Sequence, residues 1–257
     1  MNPVTQNQVI RSVTEDYLSS FPVNGPVVPE DIESELLHKT QVEFEAQNAV
    51  AGKGMKWQIP KKLAPYQIAQ IILNLYPIKL IMLAGENQDR DYGVLALYNP
   101  DEGIYMANED SLHHLIRQYD CTASGRERDD IIRTLREEAP QLIGTQDKDL
   151  IAVNNGIFDY KTKQLLPFSP DYVFLTKSKV NYNPQAVNPV IHNPTDNTDW
   201  DVESWLSDLS DDPDIVNVLW EILGAIIRPH VRWNKSAWFY STSGNNGKGT
   251  LCELMRN

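Results

Sequence analysis

The chain has 257 residues, 41% of them hydrophobic, and a formal net charge of −12. This length and apolar content permit one large or two modest domains with a hydrophobic core. Cys121 and Cys252 lie far apart in the sequence, which excludes a disulfide framework and a zinc site and fits a reducing cytoplasm. The N-terminus lacks the basic start and apolar core of a signal peptide, and polar residues interrupt the longest apolar stretch, residues 68–83, so we expect no membrane span.

The first fifty residues favour helices. Val9 and Val13 recur at helical spacing, and Pro29 with the acids after it is typical of the start of a second helix that runs to Val50. The two glycines that follow this helix predict a linker. We therefore expect a domain boundary after a helical N-terminal region, residues 1–52.

Residues 53–187 are predicted to form an α+β domain. Helical stripes, short alternating apolar runs and an Asn-Pro-Asp-Glu-Gly turn at residues 99–103 divide its first half. We expect helices over residues 63–76, 109–119 and 126–139, and strands over residues 78–84, 93–98 and 104–106.

The second half of this domain, residues 150–175, has the pattern of compact β structure. Its strongest local signal is Asn155-Gly156, a pair that favours a hairpin turn. We assign Asn155, Gly156 and Asp159 a structural role, because these residue types suit the backbone of tight turns.

Residues 188–235 are predicted to form a linker and a helical collar. The linker is rich in proline and asparagine, and two helices are expected between residues 200 and 227. From Asp196 to Glu221 there are nine carboxylates and no lysine or arginine. These carboxylates would repel the phosphates of a nucleic acid, so we expect this segment to face away from any bound DNA.

The final segment, residues 236–257, has the order of a phosphate-binding loop. The apolar run at residues 236–240 predicts a buried strand, a turn with two glycines follows, and a helical pattern comes after Lys248. Glycines let backbone N–H groups point towards a phosphate, and the helix start and the lysine add positive charge. The candidate nucleotide-binding residues are Gly244, Asn245, Asn246, Gly247, Lys248, Gly249 and Thr250.

This loop departs from the usual pattern at two positions. Thr242 occupies the place of the first glycine, and Gly249 occupies the place of the hydroxyl residue that holds Mg²⁺. Either Thr250 holds the metal in a shifted frame, or water does. The alternative for the whole loop is a surface turn with an exposed lysine.

The negative net charge by itself argues against binding to nucleic acid, but the chain also has two basic clusters. The first consists of Lys53, Lys56, Trp57, Lys61 and Lys62. If the chain contacts DNA, we expect the contact at this cluster, where the tryptophan could stack on a base. The alternative is that these lysines are solvated residues of a loop. The second cluster, residues 228–235, is expected at a subunit interface.

No catalytic residue is predicted within the chain. His113 and His114 are adjacent, so on a helix they point about 100° apart and cannot share a metal. Ser169 and Ser241 lack a partner histidine, and no carboxylate pair marks a polymerase site. We therefore expect no primase activity.

Several segments together resemble the phage and plasmid primase–helicases, superfamily-three helicases related to poxvirus primase–helicases. Asn246-Gly247-Lys248 resembles the nucleotide loop of these hexameric AAA+ motors, and residues 154–159, 166–172 and 181–184 resemble their upstream motifs in the same order. The resemblance spans about residues 85 to 257. It implies ATP with Mg²⁺, self-assembly into a ring, single-stranded DNA or a replication origin as partner, a separate primase, and the cytoplasm of a bacterial host.

We therefore predict the N-terminal part of a phage or mobile-element replicative DNA helicase. The expected fold is an α+β N-terminal region with a helical collar, followed by the start of an AAA+ α/β ATPase domain. The parent protein is expected to be an ATP-dependent helicase, and this chain alone to be inactive. The alternative is a non-catalytic origin-binding or oligomerisation module, or a natural truncation that acts as an accessory replication factor. A small-molecule kinase is disfavoured, because its phosphate loop normally opens the domain.

Overall fold

A computed structural model describes residues 4–21, 28–52, 54–82, 89–228, 231–242, 244 and 246–256. The chain has a mixed α/β structure and divides into two compact units, Met1–Gly144 and Thr145–Asn257. Across the described ranges, no helix combines the length and the apolar character that crossing a membrane requires.

The first unit contains helices at Gln6–Ser19 (α1), Pro29–Val50 (α2), Pro65–Leu75 (α3), Glu109–Tyr119 (α4) and Gly125–Glu138 (α5). Their first residues explain where they start. Thr5 and Ser124 form capping boxes with Gln8 and Glu127, and prolines occupy the first positions of α2 and α3. The three helices predicted between residues 63 and 139 are confirmed to within two residues at either end.

The first unit also contains strands at Ile78–Met82 (β1), Val94–Asn99 (β2), Ile104–Met106 (β3) and Gln141–Ile143 (β4), in the sheet order β3-β2-β1-β4. A short 3₁₀ helix at Arg90–Tyr92 precedes β2. The strands β2 and β3 form the predicted hairpin, and β1 pairs antiparallel with β2, with Ile78 opposite Leu97. The fourth strand was not predicted, because three residues are too few to show alternation; β4 pairs in parallel with β1.

The helices α1 and α2 share one core with the rest of the first unit. Tyr17 of α1 and Leu36 of α2 belong to the same buried cluster as Ile72, Leu80 and Ile116. Burial of these side chains ties the N-terminal helices to α3, α4 and β1. The structure therefore differs from the predicted boundary after residue 52, and its division between units falls at Gly144.

Hydrogen bonds reinforce this attachment. The buried amide of Gln67 in α3 donates to the hydroxyls of Thr14 and Thr40, at 3.3 Å and 3.0 Å. The segment after α2 also returns to that helix, because Asn48 donates to the Trp57 carbonyl at 2.9 Å and accepts from the Trp57 N–H at 2.6 Å. The described part of the predicted linker is thus fixed to α2.

The second unit contains strands at Leu150–Val153 (β5), Gly156–Asp159 (β6), Gln164–Leu166 (β7), Ile191–Asn193 (β8) and Thr198–Trp200 (β9), and helices at Val202–Ser207 (α6), Pro213–Ile226 (α7) and Lys248–Arg256 (α8). The strands β5, β6 and β7 form one antiparallel sheet, and β8 with β9 forms a hairpin within the predicted linker. The predicted hairpin between β5 and β6 is confirmed, but its turn residues are Asn154 and Asn155, and Gly156 begins β6. A Cβ added at Gly156 would lie 2.6 Å from the Leu166 carbonyl oxygen, so this position requires glycine.

Candidate nucleotide site

The glycine-rich loop leads into α8, whose first residue is Lys248. Gly247 has a φ of +79°, a conformation that favours glycine. A Cβ added there would lie 2.5 Å from Cδ2 of Leu209, so the loop backbone approaches the residues that follow α6 closely. The Leu251 N–H donates to the Gly247 carbonyl at 2.9 Å and closes the first helical turn.

The side chain of Lys248 folds back over the loop. Its ammonium group donates to Oγ of Ser241 at 2.8 Å and to Oδ1 of Asn246 at 2.5 Å. The Asn246 amide also donates to the Ser241 hydroxyl. Both partners of the ammonium group are neutral, and no carboxylate in the described ranges pairs with it. The positive charge of Lys248 therefore lies beside the start of a helix with no carboxylate partner among the described residues.

An apolar cluster fixes α8 to α6 and α7. Leu251 is 2% exposed and packs with Leu206 of α6 and Leu219 of α7. The first N–H groups of any helix have no partner inside it, and the helix dipole places partial positive charge there. Gly249 and Thr250 are exposed at this end of α8, so an anion in solution has access to those groups.

The strand predicted at residues 236–240 is not formed. The described residues 231–242 contain no regular element, and Trp238 and Tyr240 are 89% and 84% exposed. Only Phe239 of this run is half-buried, against the cluster around Leu251. The side chains alternate as in a strand, but no described strand pairs with the segment. An apolar run without a neighbouring strand forms no ladder.

The predicted metal ligand is the hydroxyl of Thr250. Thr250 is exposed, and no group of three or more His, Cys, Asp or Glu side chains could hold a metal ion in the parts of the chain that are described. Asn245 lies outside those parts, and Gly244 is exposed to open space. The role of Thr250 as a Mg²⁺ ligand stays a prediction.

The residues predicted to contact DNA have different environments. Lys53 lies outside the described residues, whereas Lys56 and Lys61 are exposed. The Trp57 ring packs edge-on against Phe44, with the ring centroids 5.2 Å apart. Asn48 also holds its backbone, so Trp57 packs against α2, and its role in stacking on a base stays a prediction.

Lys62 forms ion pairs inside the first unit, and its role as a phosphate contact stays a prediction. Its ammonium group lies 3.0 Å from Asp120 and 2.6 Å from Glu127. The Lys62 hydrogen bond, together with bonds from Ser124, lowers the pKa of Glu127 to about 2. Burial raises the pKa of Asp120, but hydrogen bonds from Thr122 and Lys62 outweigh it and the net pKa is lowered.

Sequence reasoning missed a cluster of cations and aromatic rings on the β5–β7 sheet. The guanidinium of Arg228, which was expected at a subunit interface, pairs with Asp149 at 2.7 Å and lies 4.2 Å from the Tyr160 ring centroid. Nζ of Lys163 lies 3.3 Å from the same centroid. The sequence signal for this cluster is the lysine-rich run that follows β6.

A family model described as "D5 N terminal like" matches residues 35–211. The match covers more than half of the chain, including most of the first unit and the β5–β7 sheet, and it ends before the glycine-rich loop. No curated protein matches the sequence significantly.

Proposed function

The chain belongs to the D5 N-terminal-like family, which comprises N-terminal domains of phage and viral primase–helicases, and we propose that it is the N-terminal part of an ATP-dependent replicative DNA helicase. Family membership supports a primase–helicase type of replication protein. The nucleotide assignment has separate support in the loop at residues 244–250, which lies outside the matched residues.

The observation that carries the nucleotide assignment is the environment of the Lys248 ammonium group. Among the described residues its partners are the neutral oxygens of Ser241 and Asn246, at 2.8 Å and 2.5 Å. In the proposed complex the ammonium group moves from these oxygens to the β- and γ-phosphates of ATP, and the first N–H groups of α8 bind phosphate oxygens. Bound Mg²⁺ would neutralise phosphate charge, held by Thr250 or through water.

Ring assembly and translocation on single-stranded DNA form part of the proposal for the parent protein. The exposed rings of Trp238 and Tyr240 lie in an apolar segment that no described strand pairs with. We assign this segment to the sheet of the AAA+ core, where neighbouring strands would supply its backbone partners and cover both rings. Light scattering of the chain alone should give a monomer, because most ring contacts of such motors belong to the ATPase core.

Titration calorimetry with MgATP tests the nucleotide assignment. The chain should bind MgATP weakly, and Lys248→Ala should lower the affinity at least about tenfold, which is roughly 1.4 kcal/mol. Lys235→Ala removes an exposed lysine upstream of the loop and is the matched control, with no expected change.

Equal MgATP affinity of the wild type and Lys248→Ala would remove the phosphate-loop assignment. It would favour the alternative function, a non-catalytic origin-binding or oligomerisation module, because the family match at residues 35–211 does not depend on the loop. Rapid ATP hydrolysis by residues 1–257 would instead show that the chain has an active site beyond this loop.

A further inference from the structure

A third stretch of this acidic chain, besides the two basic clusters described above, carries an excess of positive charge. The net charge is −12, yet residues 160–190 contain four lysines and a single acidic residue, Asp171. The lysines are Lys161, Lys163, Lys177 and Lys179. Such a local excess of lysine is the usual footprint of a surface that binds a polyanion.

The fold gathers this stretch around the β5–β7 sheet. The backbone after β7 returns to β5, where the Ser178 N–H donates to the Ala152 carbonyl at 2.9 Å and the Asn154 N–H donates to the Val180 carbonyl at 3.0 Å. The Tyr182 hydroxyl then donates to the carbonyl of Lys163 at 3.0 Å. Segments more than ten residues apart in sequence thus share one surface.

Aromatic rings accompany the lysines there. Phe158 stacks on Tyr182 with ring centroids 4.3 Å apart, and it meets Tyr160 edge-on at 6.4 Å. Tyr160 is 38% exposed. Proteins bind single-stranded nucleic acids with aromatic rings next to basic residues, because the bases stack on the rings and the phosphates contact the basic side chains.

Two cations approach the ring of Tyr160, and their charges are balanced differently. Arg228 is paired with Asp149 at 2.7 Å. Lys163, 3.3 Å from the ring centroid, has no carboxylate partner in the described chain. The neighbouring acid Asp159 accepts bonds from the N–H of Lys161 and the hydroxyl of Thr162, which close the β6–β7 turn. Lys163 therefore keeps a charge that an external phosphate can use.

The backbone of Lys163 adds a second, independent observation. This residue has a φ of +60°, a conformation that costs free energy for any side chain and that glycine adopts readily. Its N–H donates to the Asp159 carbonyl at 2.8 Å, as the closing residue of the turn. Glycine would fit the turn better, so turn geometry does not explain the lysine. A strained residue that carries an unpaired charge points to a function.

We propose that the surface around Tyr160, Lys161, Lys163 and Tyr182 binds single-stranded DNA. The ammonium group of Lys163 moves from the Tyr160 ring to a phosphate, and a base takes its place on the ring. Arg228 stays paired with Asp149 and keeps its cation–π contact with the Tyr160 ring. The choice of DNA rests on the proposed replication function, whereas the binding surface itself requires neither ATP nor Lys248.

Fluorescence anisotropy with a labelled oligo-dT and the full chain, over a series of salt concentrations, tests this surface. Lys163→Gly should weaken binding and lower the magnitude of the log–log salt slope by about 0.7, the contribution of one phosphate contact on a single strand. Tyr160→Leu should weaken binding at least about fivefold with an unchanged slope, because it removes stacking and no charge. Tyr160→Phe keeps the ring and should bind as the wild type does.

Two controls separate binding from folding and from general charge. Lys163→Gly should unfold at a temperature no lower than the wild type, because glycine suits φ +60°, so weaker binding cannot result from a damaged fold. Lys39→Ala removes the same charge from another lysine that lies over a tyrosine ring, 6.0 Å from Tyr17, and should leave the affinity unchanged.

Other results would overturn the proposal. Equal affinity and equal salt slope of the wild type and Lys163→Gly would exclude Lys163 as a phosphate contact. Loss of binding on Lys56→Ala with Lys61→Ala, without an effect of Lys163→Gly, would place the DNA contact in the first basic cluster. Tighter binding of oligo-U than of oligo-dT, or competition by heparin that Tyr160→Leu does not alter, would exclude DNA as the ligand. Failure of MgATP binding would leave this result unaffected.

Discussion

The ammonium group of Lys62 lies 3.0 Å from the carboxylate of Asp120, a side chain that is only 7% exposed. Lys62 precedes α3, whereas Asp120 ends α4, and Glu127 in the first turn of α5 joins the same cation at 2.6 Å. One side chain thus connects three helices of the first unit.

Replacement of Lys62 by methionine should destabilise the first unit by about 1–2 kcal/mol. The buried carboxylate of Asp120 would lose its cation and keep only the bonds from Thr122. We expect the lower part of the usual range, because Lys62 itself is 40% exposed to water. Urea unfolding followed by circular dichroism measures the change, and Lys61→Met, at an exposed neighbour, should have little effect. An unchanged midpoint for Lys62→Met would show that the ion pairs contribute nothing.

The same ion pairs predict how stability depends on pH. In the folded chain the pKa of Glu127 is lowered from 4.5 to about 2, and the pKa of Asp120 is also lowered. A lowered pKa contributes stability that is complete above the unfolded value and disappears as pH falls through the folded value. The difference in unfolding free energy between wild type and Lys62→Met should therefore be constant near neutral pH and shrink between about pH 4.5 and pH 2. A difference that is as large at pH 2 as near neutral pH would contradict this assignment.

Gly247→Ala should destabilise the loop and α8. The alanine would adopt an unfavourable φ of +79°, and its Cβ would press on the Leu209 side chain. The backbone cost is about 1 kcal/mol, and a shift of the flexible Leu209 side chain should absorb much of the contact. Gly249→Ala is the matched control: it lies inside α8 with nothing within 4 Å of the added Cβ, so it should be neutral or stabilise the helix. Thermal unfolding should separate the two variants, and equal melting temperatures would contradict the conformation of the loop.

Thr250→Val should weaken Mg²⁺-dependent ATP binding if the hydroxyl holds the metal. Valine keeps the shape and removes the oxygen, so the affinity for ATP without metal should not change. Gly249→Ser places a hydroxyl at the position that the usual loop pattern prefers, and it should be tolerated or slightly strengthen MgATP binding. Calorimetric titrations with and without Mg²⁺ compare the three proteins. If Thr250→Val binds MgATP as the wild type does, water fills the metal position.

Local signals predicted local structure well in this chain. The first-turn chemistry of α2, the hairpin between β5 and β6 and the position of Lys248 at a helix start all appear in the structure, because each depends on residues that are neighbours in sequence. Long-range pairing was not predictable in the same way. The parallel pairing of β4 with β1 joins segments about sixty residues apart. The run around Trp238 has the apolar character of a strand, but none of the described strands pairs with it.

Within the candidate sites, the sequence indicated which basic residues to consider but not which partners they contact. The sequence does not distinguish Lys62 from Lys163. In the structure Lys62 forms ion pairs with Asp120 and Glu127, whereas Lys163 lies over the Tyr160 ring. The bonds from Lys248 to Ser241 and Asn246 depend on how the loop folds back, which its composition does not determine.

The hydrogen bond between Thr14 of α1 and Gln67 of α3 ties α1 to a folded unit that is larger than the region matched by the family model. The shared sequence pattern begins at residue 35, inside α2, whereas the folded unit also includes α1 and the first turns of α2. A protein shortened to the shared pattern would strip Tyr17 and Ile32 from the core and present apolar surface of α3 to water. Such a fragment should aggregate. The residues matched by the family model are therefore fewer than those that the first unit needs in order to fold.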